Sequence, residues 1–369
     1  MLQLRKKLAN YQEIFYMLFL LPMTGMTSMG INSEDRIYLY VFAVATLFLL
    51  LKMAVTDFTW REIAIMAVFT ALLGANFLRN GEKTLILTAM GIFGAKNVNL
   101  DKIMKYALWE KAVLTVGTLT LAATGAIENV AIELPKNWEM HTIYCYGYYH
   151  PNMAFANIFV ILLLAIIVYH DKIKWYGYLI GTGIMIGAYR VFMCRTGMVV
   201  WIALCLIILG YQLLKKLHFE TQYLYLLSAI PAALATLALI IPVVAKNNPV
   251  FSSWINRMLT GRINLINQVY EQMLKLFVGN ISQRPFDSMY YTVLYNYGWI
   301  GFCLGLVAYT AGMWYCIKKG QHYGAIGLGI MAVYGFMELL PLSILWNLPL
   351  LYISQILFQG KKVRNEQLQ

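Results

Sequence analysis

Long apolar segments alternate with short polar connections along this chain. Most of the segments are long enough to cross a bilayer as a helix, whereas the two near 83–95 and 175–189 are short and call for little tilt or a locally thinned membrane. The pattern predicts an all-α, polytopic integral membrane protein with about twelve transmembrane helices. The segments lie near 13–31, 37–51, 62–78, 83–95, 106–124, 152–169, 175–189, 196–214, 222–245, 289–316, 323–340 and 344–359.

The connections fall into two alternating sets that differ in charge. The first set is short and always basic: Arg5/Lys6/Lys7, Lys52/Arg61, Lys96/Lys102/Lys105, Lys172/Lys174, Lys215/Lys216, Lys318/Lys319 and Lys361/Lys362/Arg364. The second set comprises 32–36, 79–82, 125–151, 190–195, 246–288 and 341–343. Because cytoplasmic loops are enriched in Lys and Arg, we expect both termini in the cytoplasm and the two long loops, 125–151 and 246–288, outside. The first segment lacks a small-residue cleavage site, which predicts an uncleaved anchor.

Composition narrows the class of protein. The 369 residues are 60% hydrophobic and 12% charged, and the mean hydropathy is +0.62, which excludes an ordinary soluble domain. The net charge of +12 is explained by the basic cytoplasmic loops, so we expect no nucleic-acid partner. The five cysteines contain no C-x-x-C pair, which indicates neither a zinc site nor a disulfide framework. With no internal repeat and no soluble segment, residues 1–369 are predicted to form a single membrane domain.

The long outer loop 246–288 contains one predicted helix, near 261–278. Thr260 is a plausible N-cap, and Gly279-Asn280 supplies a stop. Between them, apolar residues recur at helical spacing: Ile263, Ile266, Tyr270, Met273 and Phe277. We expect an amphipathic helix at the outer interface or over the bundle, with a solvated linker helix as the alternative.

Arginines stand on the outer side of the predicted topology, where positive charge is normally scarce: Arg190, Arg195, Arg257, Arg262 and Arg284. Arg262 lies in the first turn of the predicted helix, where a cation opposes the helix dipole. A phosphate held by this side chain and by the amides of Gly261 to Ile263 would resolve that conflict. The alternatives are that Arg262 points to water and that Arg190 and Arg195 snorkel to headgroups. We expect the five to converge on one anion.

Other candidate site residues flank the spans at the same face. His150 precedes Pro151, which suits the first turn of the next span, and is either structural or a catalytic base. Nearby tyrosines, including Tyr148 and Tyr149, could form an aromatic belt or stack on sugars. Asp287 is either the N-cap of the following span or a base at the membrane surface. Glu338, a carboxylate late in an apolar span, is a functional candidate or the partner of an outer arginine.

Taken together, several short motifs resemble the Wzy-type polysaccharide polymerases of the O-antigen polymerase and ligase superfamily, in their Gram-positive branch. The motifs are GYYHPN at 147–152, CRTG at 194–197, LTGR at 259–262, DSMYYTVLYNYGWIG at 287–301 and WNLP at 346–349, in an order that covers nearly the whole chain. The resemblance implies a GT-C-like fold in the cytoplasmic membrane of a bacterium, with the active site facing outside. Asn152 and Tyr290 enter as substrate-binding candidates because they belong to these motifs.

The resemblance also implies an activity. Such enzymes transfer a growing glycan from undecaprenyl pyrophosphate to a sugar hydroxyl of the next lipid-linked repeat unit. Their partners are the lipid-linked oligosaccharides, membrane lipids, a chain-length regulator and a flippase. Family members often carry a histidine where this chain has Asp287-Ser288, so the base is left open between Asp287 and His150. The arginines suit the pyrophosphate because a guanidinium binds phosphate bidentately.

The chemistry expected from these residues needs no cofactor. The sequence has no D-x-D triple and no dense outer carboxylate cluster, so we predict a metal-independent, inverting transfer with Arg262, Asp287 and His150 as catalytic candidates. Two alternatives remain. One is a ligase that hands the glycan to another acceptor, and the other is a transporter or flippase of lipid-linked sugars, although transporters usually show an internal repeat.

Overall fold

The computed structural model of the protein describes residues 8–136, 139–259, 261–282, 284 and 286–358, and about 75% of the structure is helical. The basic residues expected at the two cytoplasmic termini, Arg5 to Lys7 and Lys361 to Arg364, lie outside the described residues. The helices in chain order are α1 (Gln12–Ser28), α2 (Arg36–Val55), α3 (Trp60–Asn80), α4 (Thr84–Gly94), α5 (Leu100–Ala123), α6 (Pro151–Tyr169), α7 (Trp175–Phe192), α8 (Arg195–Lys216), α9 (Glu220–Leu227), α10 (Ile230–Asn247), α11 (Pro249–Met258), α12 (Arg262–Asn267), α13 (Tyr270–Lys275), α14 (Met289–Lys318), α15 (His322–Gly335) and α16 (Tyr352–Leu357).

Apolar helices of membrane-spanning length dominate the fold. Within the described residues, six stretches are long and apolar enough to cross a membrane: α2, α3, α6, α8, α9 with α10, and α14. The protein is therefore an all-α membrane protein, as the sequence predicts, although six stretches and not twelve meet this criterion. The share of buried residues indicates which helices lie at the centre of the bundle and which lie at its edge. In the apolar window of α6, 56% of the residues are buried, and in that of α3 only 11% are buried.

Small residues let the central helices approach closely. A Cβ on Gly197, at the start of α8, would overlap the ring of Phe155 in α6. The glycine of the CRTG motif thus sets the α6–α8 distance, as small residues do between membrane helices. On the other side of α6, α5 packs along it, and α1 packs against both α2 and α5.

The loop 125–151, which the sequence predicts to lie outside, contains an antiparallel hairpin that the sequence does not predict. β1 (Ala131–Lys136) pairs with β2 (Glu139–Tyr144), with Ala131 opposite Tyr144. After the hairpin the chain turns through Tyr146 and Gly147, both at positive φ, and enters α6 at Pro151. The placement of Pro151 in the first turn is confirmed.

The predicted helix over 261–278 is wrong as a single element. The region contains α11, which the sequence reading missed, and two short helices, α12 and α13, separated at Gln268–Val269. Tertiary contacts explain the division, because the Tyr270 hydroxyl donates to the Leu239 carbonyl of α10 and the Trp299 indole to the Leu274 carbonyl. The apolar stripe itself is largely right: Ile263, Ile266, Tyr270 and Met273 are buried, whereas Phe277 is exposed. Thr260, the predicted N-cap, lies outside the described residues.

The prediction of a single membrane-spanning helix over 344–359 is also wrong. This region consists of a 3-10 turn at Leu348–Leu351 followed by the short α16, and another 3-10 turn, Leu340–Leu342, precedes it. Pro341 and Pro349 cannot donate backbone hydrogen bonds, and the Asn347 side chain bonds to the Pro341 carbonyl and the Tyr309 hydroxyl. Those contacts hold the chain in irregular turns.

Helix α14 is bent back on itself at Gly298, whose φ of 67° and ψ of −171° are not helical. α15 packs against the arm of α14 that follows Gly298, because Leu328 lies next to Gly312 and Met313 lies next to Gly329. The same register, continued along the two helices, places Ala332 beside Tyr309. Yet the Tyr290 hydroxyl, in the arm before Gly298, donates to the Ala332 carbonyl. A straight helix would separate Tyr290 from Tyr309 by about 28 Å. The two arms therefore form a V.

The segment 276–280 fills the break. The amide of Asn280 donates to the Tyr295 carbonyl at 2.9 Å, and the amides of Trp299 and Ile300 donate to the carbonyls of Leu276 and Phe277 at 3.1 and 3.2 Å. These bonds satisfy backbone groups that the interrupted helix leaves free, which broken membrane helices require. Loop 246–288 is thereby fixed to the bundle.

Candidate functional site

A polar recess lies at the end of α15. This helix has 14 residues and rises about 21 Å at ~1.5 Å per residue, short of the ~30 Å hydrocarbon thickness. It begins beside the basic Lys318-Lys319 connection, and its far end, at Gly335, marks the level of the recess. The start of α14 is held at that level because the Ser288 hydroxyl bonds to the Gly335 carbonyl at 3.4 Å. We use "the recess" for the space between α12 and these two ends.

Arg262 is the central cation of the recess. Its Nε pairs with Asp287 Oδ2 at 2.7 Å, its Nη1 donates to the Met337 carbonyl at 2.7 Å, and its Nη2 lies 3.7 Å from Glu338 Oε1. The arginine side chain is 20% exposed, Glu338 is 10% exposed and Asp287 is 57% exposed. One cation thus bridges two carboxylates, of which Asp287 is the accessible one.

The start of α6 extends this cluster. Asn152 Nδ2 donates to Glu338 Oε1 at 3.3 Å, and the Asn152 amide donates to Nδ1 of His150, which caps the helix. His150 therefore has the structural role that the sequence reading gave as one alternative. A line of contacts joins His150, Asn152, Glu338, Arg262 and Asp287. Three separate motifs supply four of these residues, and Glu338 lies outside the motifs.

A cavity of about 130 Å³ opens beside Arg262 and Asp287. Its wall includes Tyr291, which is 4% exposed and whose hydroxyl has no hydrogen-bond partner among the described residues. A buried hydroxyl without a partner is costly, so a ligand in the cavity is its natural acceptor or donor. Tyr290, the sequence candidate, lies one position away and is bonded to Ala332 instead. The remaining lining residues are Leu259, Ile263, Leu265, Ile266, Phe286, Ser288, Phe336 and Met337.

The proposed helix-end phosphate site does not exist in this structure. α12 has six residues, and the amides of Gly261 and Arg262 already donate to the carbonyls of Asn256 and Leu259. The expectation that Asp287 caps the next helix is also wrong. α14 begins at Met289 with Ser288 as its N-cap, and the Asp287 side chain turns to Arg262.

The other outer arginines lie outside the recess lining and are exposed. Arg190 is in the last turn of α7, Arg195 begins α8 and Arg257 is in the last turn of α11. The backbone amide of Arg284 donates to Asn296 Oδ1 at 3.2 Å. Their convergence on one anion stays a prediction.

The candidate tyrosines differ in accessibility. Tyr148 is 2% exposed, its hydroxyl donates to the Ser28 carbonyl at 2.6 Å, and burial raises its pKa to about 12. This packing leaves almost none of its ring for a sugar. Tyr149 is 53% exposed and donates to Asp35, a hydrogen bond that raises the pKa of Tyr149. Tyr149 is the member of this pair that a glycan can reach.

A second polar cluster, which the sequence reading missed, is buried between α1, α5 and α6. Lys111 is fully buried, and its Nζ donates to Thr27 at 3.1 Å, Ser28 at 3.3 Å and Asn157 at 3.5 Å. It also lies 5.3 Å from the ring of Trp346, in the WNLP motif. A charged residue inside the apolar segment 106–124 is the signal that could have identified it.

No group of three or more His, Cys, Asp or Glu residues is placed to hold a metal ion in the part of the chain that the structure describes. The recess offers one guanidinium and two carboxylates as its charged groups. Such a set can bind an anion, exchange a carboxylate for it and accept a proton.

Comparison of the chain with protein-family models, with curated proteins and with solved structures finds no match. The fold and the recess therefore define a class only: a helical membrane protein with a charged cavity at the ends of two helices.

Proposed function

We propose that this protein is a membrane glycosyltransferase that polymerises undecaprenyl-pyrophosphate-linked oligosaccharides at the outer face of a bacterial cytoplasmic membrane. The proposal includes about twelve membrane crossings or re-entrant segments, with both termini cytoplasmic and the recess open to the outside. The alternating charge of the connections supports this orientation. The motif resemblance supports the substrate class.

The observation that carries the proposal is the pairing of Arg262 with Asp287 at 2.7 Å in a partly open cavity. An arginine whose Nε is paired with an accessible carboxylate is a site where a stronger anion can take the place of that carboxylate. A pyrophosphate carries more negative charge than one carboxylate, so it competes effectively for Arg262. Glu338 and the Met337 carbonyl keep the guanidinium in place during the exchange.

The exchange prepares the second catalytic group. Once released from Arg262, Asp287 is a free carboxylate close to the pyrophosphate. The acceptor hydroxyl attacks C1 of the donor sugar, the bond between C1 and the pyrophosphate oxygen breaks with its electron pair on that oxygen, and the hydroxyl proton passes to Asp287. Arg262 stabilises the departing charge, a contribution worth about 10²–10³ in rate. Attack from the side opposite the leaving group inverts the anomeric configuration.

Two neighbours complete the assignment. Asn152 fixes the orientation of Glu338, and Glu338 in turn retains Arg262. Tyr291 lines the same cavity, and its buried hydroxyl, which has no partner among the described residues, is assigned to hydrogen-bond the pyrophosphate or the first sugar.

A transporter of lipid-linked saccharides is the second candidate, and one observation favours it. Lys111 is a buried charge inside the bundle, and buried charges in spans often mark transport pathways. A ligase differs from a polymerase only in its acceptor, so the acceptor decides between them.

The test uses purified protein, lipid-linked repeat units and neither nucleotide sugar nor divalent metal. A ladder of longer glycans supports the polymerase. Arg262→Ala should abolish the ladder, whereas Arg36→Ala, at an exposed arginine beginning α2, should not. Passage of labelled glycolipid across sealed vesicles without a ladder would assign the protein to transport, and transfer only to an added foreign acceptor would assign it to the ligases.

A further inference from the structure

A second cavity, almost entirely apolar, lies within the V of α14. Its volume is about 200 Å³, and residues of both arms line it, among them Val293 before Gly298 and Gly305 after it. α3 and α4 close one side through Phe69 and Phe93. An apolar cavity of this size does not hold water and binds hydrocarbon.

This apolar cavity and the recess meet at one point of the chain. Ser288 lines the recess, and the next residue, Met289, lines the apolar cavity. Similarly, Met337 lines the recess, and Pro341 and Leu342 line the apolar cavity. The start of α14 and the segment after α15 therefore contribute to the walls of both cavities.

The apolar cavity opens between α3 and the second arm of α14. Leu72 and Leu304, on the two sides of the opening, are each 36% exposed. Gly305 is exposed, and a Cβ at this position would meet no atom within 4 Å. The absence of a side chain at Gly305 thus leaves the cavity open to the surface of α14 at this position.

We propose that this cavity binds the first isoprenoid units of the lipid carrier, with the chain leaving between Leu72 and Leu304 into the bilayer. The inference rests on the proposed function, because the phosphate at Arg262 selects a phosphorylated lipid. A single branched prenyl chain can pass through the one opening beside Gly305, whereas a phospholipid must place two acyl chains there.

Binding of farnesyl phosphate, inorganic pyrophosphate and phosphatidic acid to detergent-purified protein, followed by native mass spectrometry, tests the proposal. Farnesyl phosphate should bind the wild type at least ten-fold more tightly than it binds Gly305→Leu, whose side chain fills the opening. Inorganic pyrophosphate should bind both proteins equally. Gly183→Leu is the matched control, since Gly183 is also an exposed helical glycine with no atom within 4 Å of its Cβ position.

Ala308→Leu, deeper in the same cavity, repeats the test should Gly305→Leu not fold. Equal binding of farnesyl phosphate to all variants would overturn the proposal. Binding of phosphatidic acid that Gly305→Leu weakens as much as it weakens binding of farnesyl phosphate would also overturn it. The assay measures binding without polymerisation. Selective binding of farnesyl phosphate without any glycan ladder would therefore support the prenyl site and contradict the proposed function. A normal ladder, with farnesyl phosphate binding unchanged in Gly305→Leu, would support the proposed function and contradict the prenyl site.

Discussion

Arg262 and Asp287 are joined by an ion pair of 2.7 Å, although one lies in a short helix of the long loop and the other just before the bent helix α14. Asp287 occupies Nε of the guanidinium, while the two terminal nitrogens contact the Met337 carbonyl and Glu338. In the proposed mechanism, substrate binding exchanges one anion for another, and the same event frees the carboxylate. The predictions below follow from this arrangement and from the packing around it.

Replacing Arg262 by lysine should reduce the polymerisation rate almost as much as replacing it by alanine, by about 10²–10³. Lysine keeps the charge but cannot contact Asp287, Met337 and Glu338 with one planar group. Initial rates of ladder formation measure the effect. A lysine variant within about three-fold of wild type would show that charge alone suffices, contrary to the bidentate role.

Asp287→Asn should produce two opposite changes. The rate should fall by about 10²–10⁴, because asparagine cannot accept the proton of the acceptor hydroxyl. Pyrophosphate should bind more tightly, because a neutral side chain no longer competes for Arg262. Folding should be little affected, since Ser288 and not Asp287 is the N-cap of α14. Single-turnover rates and a pyrophosphate titration separate the two quantities.

His150→Gln is the comparison for Asp287→Asn. Nδ1 of His150 is already engaged by the Asn152 amide, so its loss should lower the rate less than ten-fold, well below the ~10² expected for a base. A larger loss in His150→Gln than in Asp287→Asn would transfer the role of base to the histidine.

Tyr291→Phe and Tyr290→Phe form a matched pair at adjacent positions. Tyr291→Phe should lower kcat/KM by about two- to ten-fold, the value of one neutral hydrogen bond, without lowering Tm, because its hydroxyl has no partner among the described residues. Tyr290→Phe should lower Tm and leave kcat/KM nearly unchanged, because its hydroxyl bonds to the Ala332 carbonyl. Steady-state kinetics and thermal unfolding in detergent decide between them. The reverse pattern would move the cavity contact to Tyr290.

Gly298→Ala should destabilise the protein by about 1–3 kcal/mol, because the backbone at this position is in a region that residues with a Cβ rarely adopt. The new methyl group would also overlap the backbone of Gly279, in the segment that fills the break. Gly183→Ala in α7 is the control and should be neutral or stabilising by up to about 1 kcal/mol, since alanine favours a helix. An unchanged Tm for Gly298→Ala would mean that α14 is not bent at this position.

Lys111→Met should leave Tm unchanged or raise it. Burying the ammonium carries a desolvation cost that methionine, of similar volume, does not carry, and the nearby Glu110 carboxylate keeps its hydrogen bond from the Thr24 hydroxyl. The hydroxyls of Thr27 and Ser28 keep their bonds to the Thr24 carbonyl, and the Asn157 amide keeps its bond to the Thr27 carbonyl. Lys111→Ala should instead lower Tm, because it leaves a cavity. A large fall in Tm for the methionine variant would show that the ammonium group stabilises the bundle.

The sequence by itself determined the class of fold and most helix positions. Apolar length and charge alternation are local properties, so they predicted α2, α3, α6 and α8 closely. Local spacing also predicted the buried stripe from Ile263 to Met273 and the place of Pro151. Residues that stand out singly, such as Arg262, Asp287 and Glu338, were identified because a charge near an apolar span is uncommon.

Only the tertiary structure decided how those residues meet. The contact of Arg262 with Asp287 and Glu338 depends on the bend at Gly298 and on the early end of α15, neither of which leaves a periodic signal. The choice between Tyr290 and Tyr291 depends on which hydroxyl reaches the Ala332 carbonyl, and neighbouring residues of the same type look alike in sequence. The single helix expected over 261–278 is divided because distant partners, Leu239 and Trp299, hold its turns. Long-range hydrogen bonds outweigh local helix propensity here, since unpaired backbone groups are costly within a membrane bundle.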